Sequence, residues 1–424
     1  MKFESLCVIG MGYIGLPTAS IFASNGLHVT GMDINENIID GLKAGKLHIF
    51  EPGLRGLVLD ALKSGSLEVS KEVAPADAFI IAVPTPFYED KRADLRAVIA
   101  ATEAIVPHLK PGNLVILEST SPPRTTTDIV APILEKSGLK ASEDFLLAYS
   151  PERVLPGRIL QELVDNPRVI GGVDRESAEA GRDLYREFVK GDIILTDATT
   201  AEMVKLMENT SRDINIAIAN EFSRLAERFD VDIWEAIGIA NLHPRVEILR
   251  PGVGVGGHCI SVDPWFLVEA APETAHLIKT ARQVNDGQPA FVADLIKKTA
   301  GGLSGKKIAF FGLSFKPNVD DIRESPAVEL AHRLQDAGAE VIAYEPFKPS
   351  VNLPGITQVN SLEEALIEAE MIVLAVSHDQ FKDLDPNEIR EKTAADVVFD
   401  TGRTWDKAAW ELAGFRFFGL ARKY

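Results

Sequence analysis

Two cysteines in 424 residues, Cys7 and Cys259, are too few for a disulfide framework and fit a reducing compartment. Cys7 falls in an apolar N-terminal run and Cys259 in a glycine-rich loop, so they do not read as two halves of a bridge. No apolar stretch approaches the roughly 18 residues that a membrane-spanning helix requires. The opening segment 1–19 is interrupted by Glu4 and by glycines and does not read as a signal peptide. Basic residues are in deficit too. Lys and Arg number 44 against 62 Asp and Glu, a formal charge of −18, which argues against a nucleic-acid or anionic-membrane surface, since both need a basic face. A cytoplasmic location is the expectation. Any anionic ligand must be caught by backbone amides and a few placed cations. What is present in quantity is apolar sequence: 46% hydrophobic against 25% charged residues is enough for two or three domains with their own cores.

Short apolar or β-branched runs at 6–9, 28–32, 78–83, 114–117, 145–148, 168–170 and 193–195 alternate with helix-like segments and turn signals, the pattern of a parallel sheet. From 192 to 237 there is neither glycine nor proline. Met203, Leu206, Thr210, Ile214, Ala217, Ile218, Leu225 and Phe229 recur there mostly every three or four residues, which predicts one long helix or two abutting ones. After Gly301, Gly302 and Gly305, strand signals resume at 307–311, 341–344, 371–376 and 397–399, the start of a second α/β domain. Its first helix is marked by Ser325 as cap, Pro326 at the first helical position and Gly338 beyond the end. The expected architecture is α/β: two Rossmann-like doubly wound domains, 1–198 and 303–424, joined by a central helical domain, 199–302, with a long helix.

Gly10-Met-Gly-Tyr-Ile-Gly15 follows the first strand and opens a helix, and Asp33 ends the second strand. A lone glycine motif is weak, but strand, turn, helix, strand and acid in this order point to dinucleotide binding. Gly10 and Gly12 permit a tight turn and close approach of a pyrophosphate to a helix N-terminus, whose free amides favour anions. Gly15 lets helix and strand pack. Asp33 is placed for the adenosine ribose hydroxyls. A 2′-phosphate would meet its charge at a cost of up to about 4 kcal/mol for unit charges 4 Å apart in a surface-like dielectric, and Ile34-Asn35 offers no compensating cation. NAD is therefore expected in preference to NADP.

The segment Gly252-Val-Gly-Val-Gly-Gly-His-Cys-Ile-Ser-Val-Asp-Pro264 holds four glycines within six residues just before Cys259. Glycines allow close approach to a ligand and positive φ, so Cys259 reads as a nucleophile in a backbone-crowded pocket; a buried cysteine behind a glycine turn is the bland alternative. Beside a nicotinamide cofactor, a thiol can capture an aldehyde as a thiohemiacetal and carry it on to a thioester, so the product is an acid. Lys205 and Asn209 stand i, i+4 and share a helix face, able to aim at one reacting oxygen, although a surface polar stripe has the same spacing. Lys205 has a second possible task, lowering the pKa of a thiol that is otherwise only a few per cent thiolate. Asn220 lies about 22 Å further along a straight helix and reads as structural. His258, among glycines and a proline, reads as a shaping or packing residue. No other histidine or cysteine stands at ligand spacing from it, so no metal is expected.

Together, the N-terminal fingerprint, Val83-Pro-Thr-Pro86, Glu118-Ser-Thr120, Ser150-Pro-Glu-Arg-Val-Leu-Pro-Gly157, the cysteine loop, Phe315-Lys316 and Arg323-Glu-Ser325 resemble the UDP-glucose/GDP-mannose dehydrogenases over nearly the whole chain. Within the family, the 151–157 and 256–265 segments look most like enzymes acting on UDP-N-acetyl-D-mannosamine. UDP-glucose enzymes typically carry a second glutamate where this chain has Pro156, and another residue where it has His258. The resemblance implies Cys259 as covalent nucleophile, Lys205 and Asn209 at the oxyanion, and Asp263 as a base or as a holder of Lys205. It also implies Thr120 as a water-ordering residue and Glu152 as an acid in proton transfer and water activation. The resemblance puts Tyr13, Ile14, Pro84 and Thr85 with the NAD-binding set, and Arg153, Val154 and Gly256 with the substrate-binding set. It assigns the C-terminal domain to UDP, with Phe315 in the substrate-binding set and Lys316, Arg323 and Arg403 as phosphate clamps. The turn Gly312-Leu-Ser-Phe315 lacks three glycines and is not expected to hold a second NAD. Arg245 resembles the arginine that reaches a neighbouring subunit's site, which implies a homodimer built through the long helix.

The resulting expectation is NAD-dependent, four-electron oxidation of the C6 hydroxymethyl of a UDP-N-acetylhexosamine, UDP-N-acetyl-D-mannosamine first, to the uronate. The N-acetylglucosamine, N-acetylgalactosamine and glucose nucleotides stay open. A two-electron dehydrogenase of the 3-hydroxy-acid kind and a non-enzymatic nucleotide-sugar sensor are the rival readings.

Overall fold

The computed structural model describes residues 2–348 and 352–421. The chain divides into two compact units. One comprises residues 1–208 with 265–272, the other 209–264 with 273–424.

The first unit is built on an eight-stranded sheet: β1 (Ser5–Ile9), β2 (His28–Met32), β3 (Leu67–Ser70), β4 (Ala78–Ile81), β5 (Leu114–Leu117), β6 (Leu146–Tyr149), β7 (Arg168–Gly172) and β8 (Ile193–Asp197). Their order is β3-β2-β1-β4-β5-β6-β7-β8. The central strands β4, β5 and β6 are short, apolar and buried throughout because both faces are covered. In β1, Leu6 and Val8 enter one core while Cys7 and Ile9 enter the other, the period-two alternation of a strand. The order reverses between β1 and β4, so the loops after those strands flank the crevice at the carboxyl edge where ligands of open α/β sheets bind.

The second unit holds an all-parallel six-stranded sheet of β9 (Lys307–Phe311), β10 (Glu340–Tyr344), β11 (Thr357–Val359), β12 (Met371–Leu374), β13 (Val397–Asp400) and β14 (Arg416–Gly419), in the order β11-β10-β9-β12-β13-β14. In β9, Ile308 and Phe310 enter one core and Ala309 and Phe311 the other. The helix Pro326–Asp336 begins as the sequence predicts, with Ser325 Oγ accepting from Ala327 N. The glycine- and proline-free stretch resolves into β8, one 32-residue helix Ala198–Phe229, and a break where Asp230 takes φ 53°. Asp232 then caps the helix Ile233–Ala240 through Trp234 N and Glu235 N.

The two doubly wound sheets and the long helix agree with expectation. One element does not: β7 runs antiparallel to β6 and parallel to β8, where the sequence reading has a parallel sheet throughout. Strands β3, β11 and β14, all short and at sheet edges, are absent from the sequence reading.

Candidate active site

In the first unit the residues expected to hold NAD gather at the carboxyl edge of the sheet. Gly10 has φ 97°, and a Cβ on it would stand 2.5 Å from the Ala82 carbonyl oxygen; a Cβ on Gly15 would stand 1.8 Å from the Gly10 oxygen. Only glycine closes this turn. Gly12 differs, because a Cβ there meets nothing within 4 Å, so the space over it is open to a ligand. The helix Gly15–Ser24 has Ile14 at its N-cap and no side-chain cap; Leu16 N donates to Gly12 O at 3.1 Å and Pro17 has no N–H, so it is the Gly15 amide that this end offers an anion. Asp33 Oδ2 accepts from Met11 N at 2.9 Å and Oδ1 from Asn35 N at 2.8 Å. The carboxylate thus braces the turn, with lone pairs remaining for a ribose. Tyr13 is half-buried beside the turn, Pro84 is exposed, and Thr85 Oγ1 donates to the Thr120 carbonyl at 2.5 Å, joining the loops after β4 and β5. These features fit the pyrophosphate and ribose of NAD.

The loop after β6 carries Glu152, Arg153 and Val154. Glu152 is a buried carboxylate, not a solvated one: it is 9% exposed, with Oε2 accepting from Arg168 Nη2 at 2.6 Å and Oε1 from Arg153 N at 2.6 Å. The Arg153 fork is committed to Glu208, through Nε at 3.0 Å and Nη2 at 2.5 Å, so only rearrangement would free it for a substrate. Val154 packs against the apolar core. Glu51 secures the far end of the loop: its two oxygens accept from Gly157 N and Ile159 N, each at 2.8 Å, capping the helix Ile159–Asp165. Lys205, on the long helix, is 8% exposed.

In the second unit the cysteine loop folds back on the loop after β9. Gly254 has φ 142° and Gly257 φ 86°. A Cβ on Gly256 would lie 2.4 Å from the Glu324 oxygen and 2.9 Å from Phe315 Cβ, and one on Gly257 would lie 2.9 Å from the Phe315 ring. The expectation that these glycines make room for a ligand needs correcting: Gly256 and Gly257 make room first for Phe315 and Glu324. Cys259 itself faces outward. Its carbonyl accepts from Val262 N and Asp263 N at 3.0 and 2.8 Å, a turn that leads into the helix Asp263–Ala270. Asp263 is 2% exposed and its Oδ2 accepts from Asn209 Nδ2 at 2.5 Å. The Asn209 amide keeps a second hydrogen for a developing oxyanion. Asn220 is structural here: it donates to Asn285 and accepts from Gly252 N at 3.0 Å, tying the base of the cysteine loop to the long helix.

His258 is held below its usual pKa by desolvation and by Arg323, with Asp321 opposing. Burial and Arg212 likewise lower Lys316, again against Asp321. Burial would raise Asp321, but hydrogen bonds from Arg323 outweigh it and hold the carboxyl down. Arg323 forks onto Asp321 at 2.8 and 2.6 Å, and its carbonyl accepts from Gly257 N. The half-buried Lys316 and the exposed Arg323 thus both feel Asp321, two cations of a kind suited to a diphosphate. Arg245 and Arg403 lie on exposed turns, Arg403 just beyond β13 with φ 52°.

At the end of β10, where β2 has Asp33, stands Glu345, fully buried. Its Oε2 accepts from Leu313 N and Ser314 N at 2.7 and 2.9 Å, which closes the turn after β9 on itself. Sequence reasoning passed over Arg168, Glu51 and Glu345, and gave Glu118 a place in a family motif but no role. Most of their partners lie from 16 to 108 residues away, and a single charged residue beside a strand carries no local signal.

Among the described residues, no helix is long and apolar enough to cross a membrane, and no group of three or more His, Cys, Asp or Glu is arranged to hold a metal ion. Residues 4–189 match the UDP-glucose/GDP-mannose dehydrogenase family, NAD binding domain; 199–287 match its central domain and 309–407 its UDP binding domain. The chain is 48% identical to a UDP-N-acetyl-D-mannosamine dehydrogenase of Methanocaldococcus jannaschii, over 98% of this chain and 96% of that one. It is also 48% identical to an NDP-N-acetyl-D-galactosaminuronic acid dehydrogenase of Ralstonia solanacearum, over 96% and 97%. A UDP-D-ManNAc dehydrogenase structure from Pyrococcus horikoshii superposes with a TM-score of 0.91 at 41% identity, covering 99% of both chains.

Proposed function

Because the chain belongs to the UDP-glucose/GDP-mannose dehydrogenase family and carries its NAD and UDP binding domains, we propose that it oxidises the C6 hydroxymethyl of UDP-N-acetyl-D-mannosamine to the uronate. The balanced reaction takes R-CH2OH, one water and two NAD+ to R-COO−, two NADH and three protons. The observation that carries the reading is the near-complete overlap, at 48% identity, with the relative of that name, together with an exposed Cys259 whose carbonyl accepts from the amide of Asp263, the residue that holds Asn209. The overlap with the galactosaminuronic acid relative favours UDP-N-acetyl-D-galactosamine as the second candidate.

Bound NAD supplies the hydride acceptor. The rest falls to the chain: Cys259 adds to the aldehyde and holds the acyl group as a thioester, Lys205 and Asn209 stabilise the oxyanion, and Asp263 orients Asn209 through its carboxylate. Thr120 orders the hydrolytic water and Glu152 takes its proton. Phe315, Lys316, Arg323 and Arg403 hold the diphosphate and uridine end, with Gly256 and His258 shaping the sugar side. In this proposal 1–198 binds NAD, 199–302 carries the cysteine loop and 303–424 binds UDP. Ile218, Phe222, Leu225 and Phe229 are 41%, 40%, 43% and 67% exposed at helical spacing on the long helix, an apolar stripe that supports a homodimer with Arg245 reaching the second copy. A cytoplasmic setting accords with the reduced thiol that the mechanism uses.

The test is a panel of UDP-sugars with NADH counted per sugar consumed. Two NADH with the N-acetylmannosamine nucleotide, and at least tenfold lower kcat/KM with the others, is the expected result; one NADH per sugar, or no preference, sinks it. The cofactor is tested separately. Replacing Asp33 by serine removes a like-charge cost of up to about 4 kcal/mol against a 2′-phosphate, so the kcat/KM preference for NAD over NADP should fall at least tenfold. An unchanged ratio would remove Asp33 from cofactor selection.

A further inference from the structure

Arg168 opens β7. In a parallel strand it would stand at the amino edge of the sheet, away from any ligand. The antiparallel register, Ala148 opposite Gly172 and Tyr149 opposite Gly171, carries it to the carboxyl edge, level with the turn that bears Glu152. Its guanidinium there is almost fully buried. Nη2 donates to Glu152 Oε2 at 2.6 Å, and Nη1 donates to Ser150 Oγ at 3.0 Å and to Glu118 Oε1 at 3.3 Å. The Tyr185 ring lies under it, 4.1 Å from Cζ, and the Tyr185 hydroxyl donates to Glu118 Oε1 at 2.8 Å. Glu118, one residue past β5, is 2% exposed, and its Oε2 is buried without a hydrogen-bond partner.

Two buried carboxylates thus share one guanidinium, and ionising both leaves a net negative charge in a poorly solvated place. Its contacts with Ser150, Glu118 and the Tyr185 ring fix its plane, so the Nη2–H it presents to Glu152 Oε2 is fixed as well. We propose that Arg168 is a positioning residue for Glu152, and that Glu118 sets how exclusively Arg168 serves Glu152 by exchanging a proton with solvent. This rests on the assignment of Glu152 to the reaction made above. The titratable groups that face Glu118 are Arg168 from β7, Glu152 from the loop after β6, and Tyr185 from the helix Arg175–Tyr185. Burial is the largest influence on Glu118; Arg168 opposes it, Glu152 adds to it, and the carboxyl is pushed up to about 7. Below that pH Glu118 is neutral and the guanidinium belongs to Glu152. Above it, Glu118 ionises and competes for the same cation.

The test compares wild type with Glu118→Gln and Arg168→Lys, taking kcat and KM across pH 6 to 9 and an infrared titration of the carboxyl stretch of the protein without sugar. Glu118→Gln keeps the shape and the Tyr185 contact while abolishing the titration. It should remove an inflection of kcat near pH 7 that wild type shows, together with a protonated-carboxyl band that titrates there. Arg168→Lys keeps the charge and loses the fork. It should lower kcat roughly ten- to hundredfold, the range seen when a group that orients an active residue is lost, with the KM for NAD within about twofold because the glycine turn is untouched. A merely structural cluster would lower stability and leave the pH profile in place. A folded Arg168→Lys enzyme with wild-type kcat, or a Glu118→Gln profile identical to wild type, overturns the proposal. If wild type oxidises no UDP-sugar, the functional reading fails by itself, and the infrared titration alone decides: a band lost in Glu118→Gln supports the shared proton, and no titrating band overturns it.

Discussion

Cys259→Ser protein is expected to release no uronate and at most one NADH per sugar, with overall turnover to acid lower by on the order of 10³-fold or more, as when a covalent nucleophile is removed elsewhere. The first hydride leaves an alcohol carbon and needs only a base, so aldehyde formation can survive the change. The second needs a tetrahedral adduct from which hydride departs to leave an acyl group. A serine hydroxyl forms that adduct poorly unless an adjacent base activates it. A thousandfold loss is about 4 kcal/mol of transition-state stabilisation, too large to arise from a shifted loop with its contacts intact. Trapping with hydroxylamine should recover the aldehyde from the variant and little from wild type. The second cysteine is an internal control. Cys7 is fully buried in β1 and burial pushes its thiol up to about 11, so a thiol-alkylating reagent at neutral pH should label one residue, Cys259, and inactivate in step with labelling. Two NADH per sugar from Cys259→Ser, or full activity after labelling, would end the covalent mechanism.

What the sequence made legible was local. The turn at Gly10, Gly12 and Gly15 declares itself because the strand, the glycines and the helix are contiguous, and the same holds for Ser325 and Pro326 at a helix start. Lys205 and Asn209 could be placed on one helix because the stretch around them lacks every breaker. Strand direction was not local. Nothing in Arg168-Val-Ile-Gly-Gly172 says which way the segment runs, and the reversal of β7 is what converts a distant arginine into a neighbour of Glu152. Glu51 was invisible for a related reason: its two partners, Gly157 N and Ile159 N, lie over a hundred residues on, and a backbone amide has no sequence signature. Short edge strands such as β11, three residues with no buried member, offer no periodicity to detect. The glycines before Cys259 were noticed for the right physical reason, the need for close approach, but sequence alone could not say that Phe315 and Glu324 approach first.

That packing makes Gly256→Ala the most informative change outside the thiol. The added Cβ would sit 2.4 Å from the Glu324 carbonyl oxygen, 2.7 Å from Pro326 Cδ and 2.9 Å from Phe315 Cβ. Two of these atoms belong to backbone or to a proline at a helix start, so no flexible side chain can yield, and one of the two loops must move by close to an ångström. A displacement of that size at a group that aligns reactants costs about 10²-fold in rate, while overpacking itself costs roughly 1–3 kcal/mol of stability. The effect should be confined to the second unit: NAD binding, measured by fluorescence titration, should stay within about twofold, because the glycine turn and Asp33 belong to the first. The KM for the sugar nucleotide should rise with the fall in kcat, since Phe315 and Arg323 ride on the displaced loop. Gly12→Ala is the counterpart, with open space around its Cβ in the protein alone. It should leave the melting temperature unchanged and weaken NAD by at least tenfold, since a methyl group there occupies the approach path of the pyrophosphate. Should Gly256→Ala weaken NAD while sparing the KM for the sugar, the assignment of the cysteine loop to the nucleotide-sugar side would have to be withdrawn.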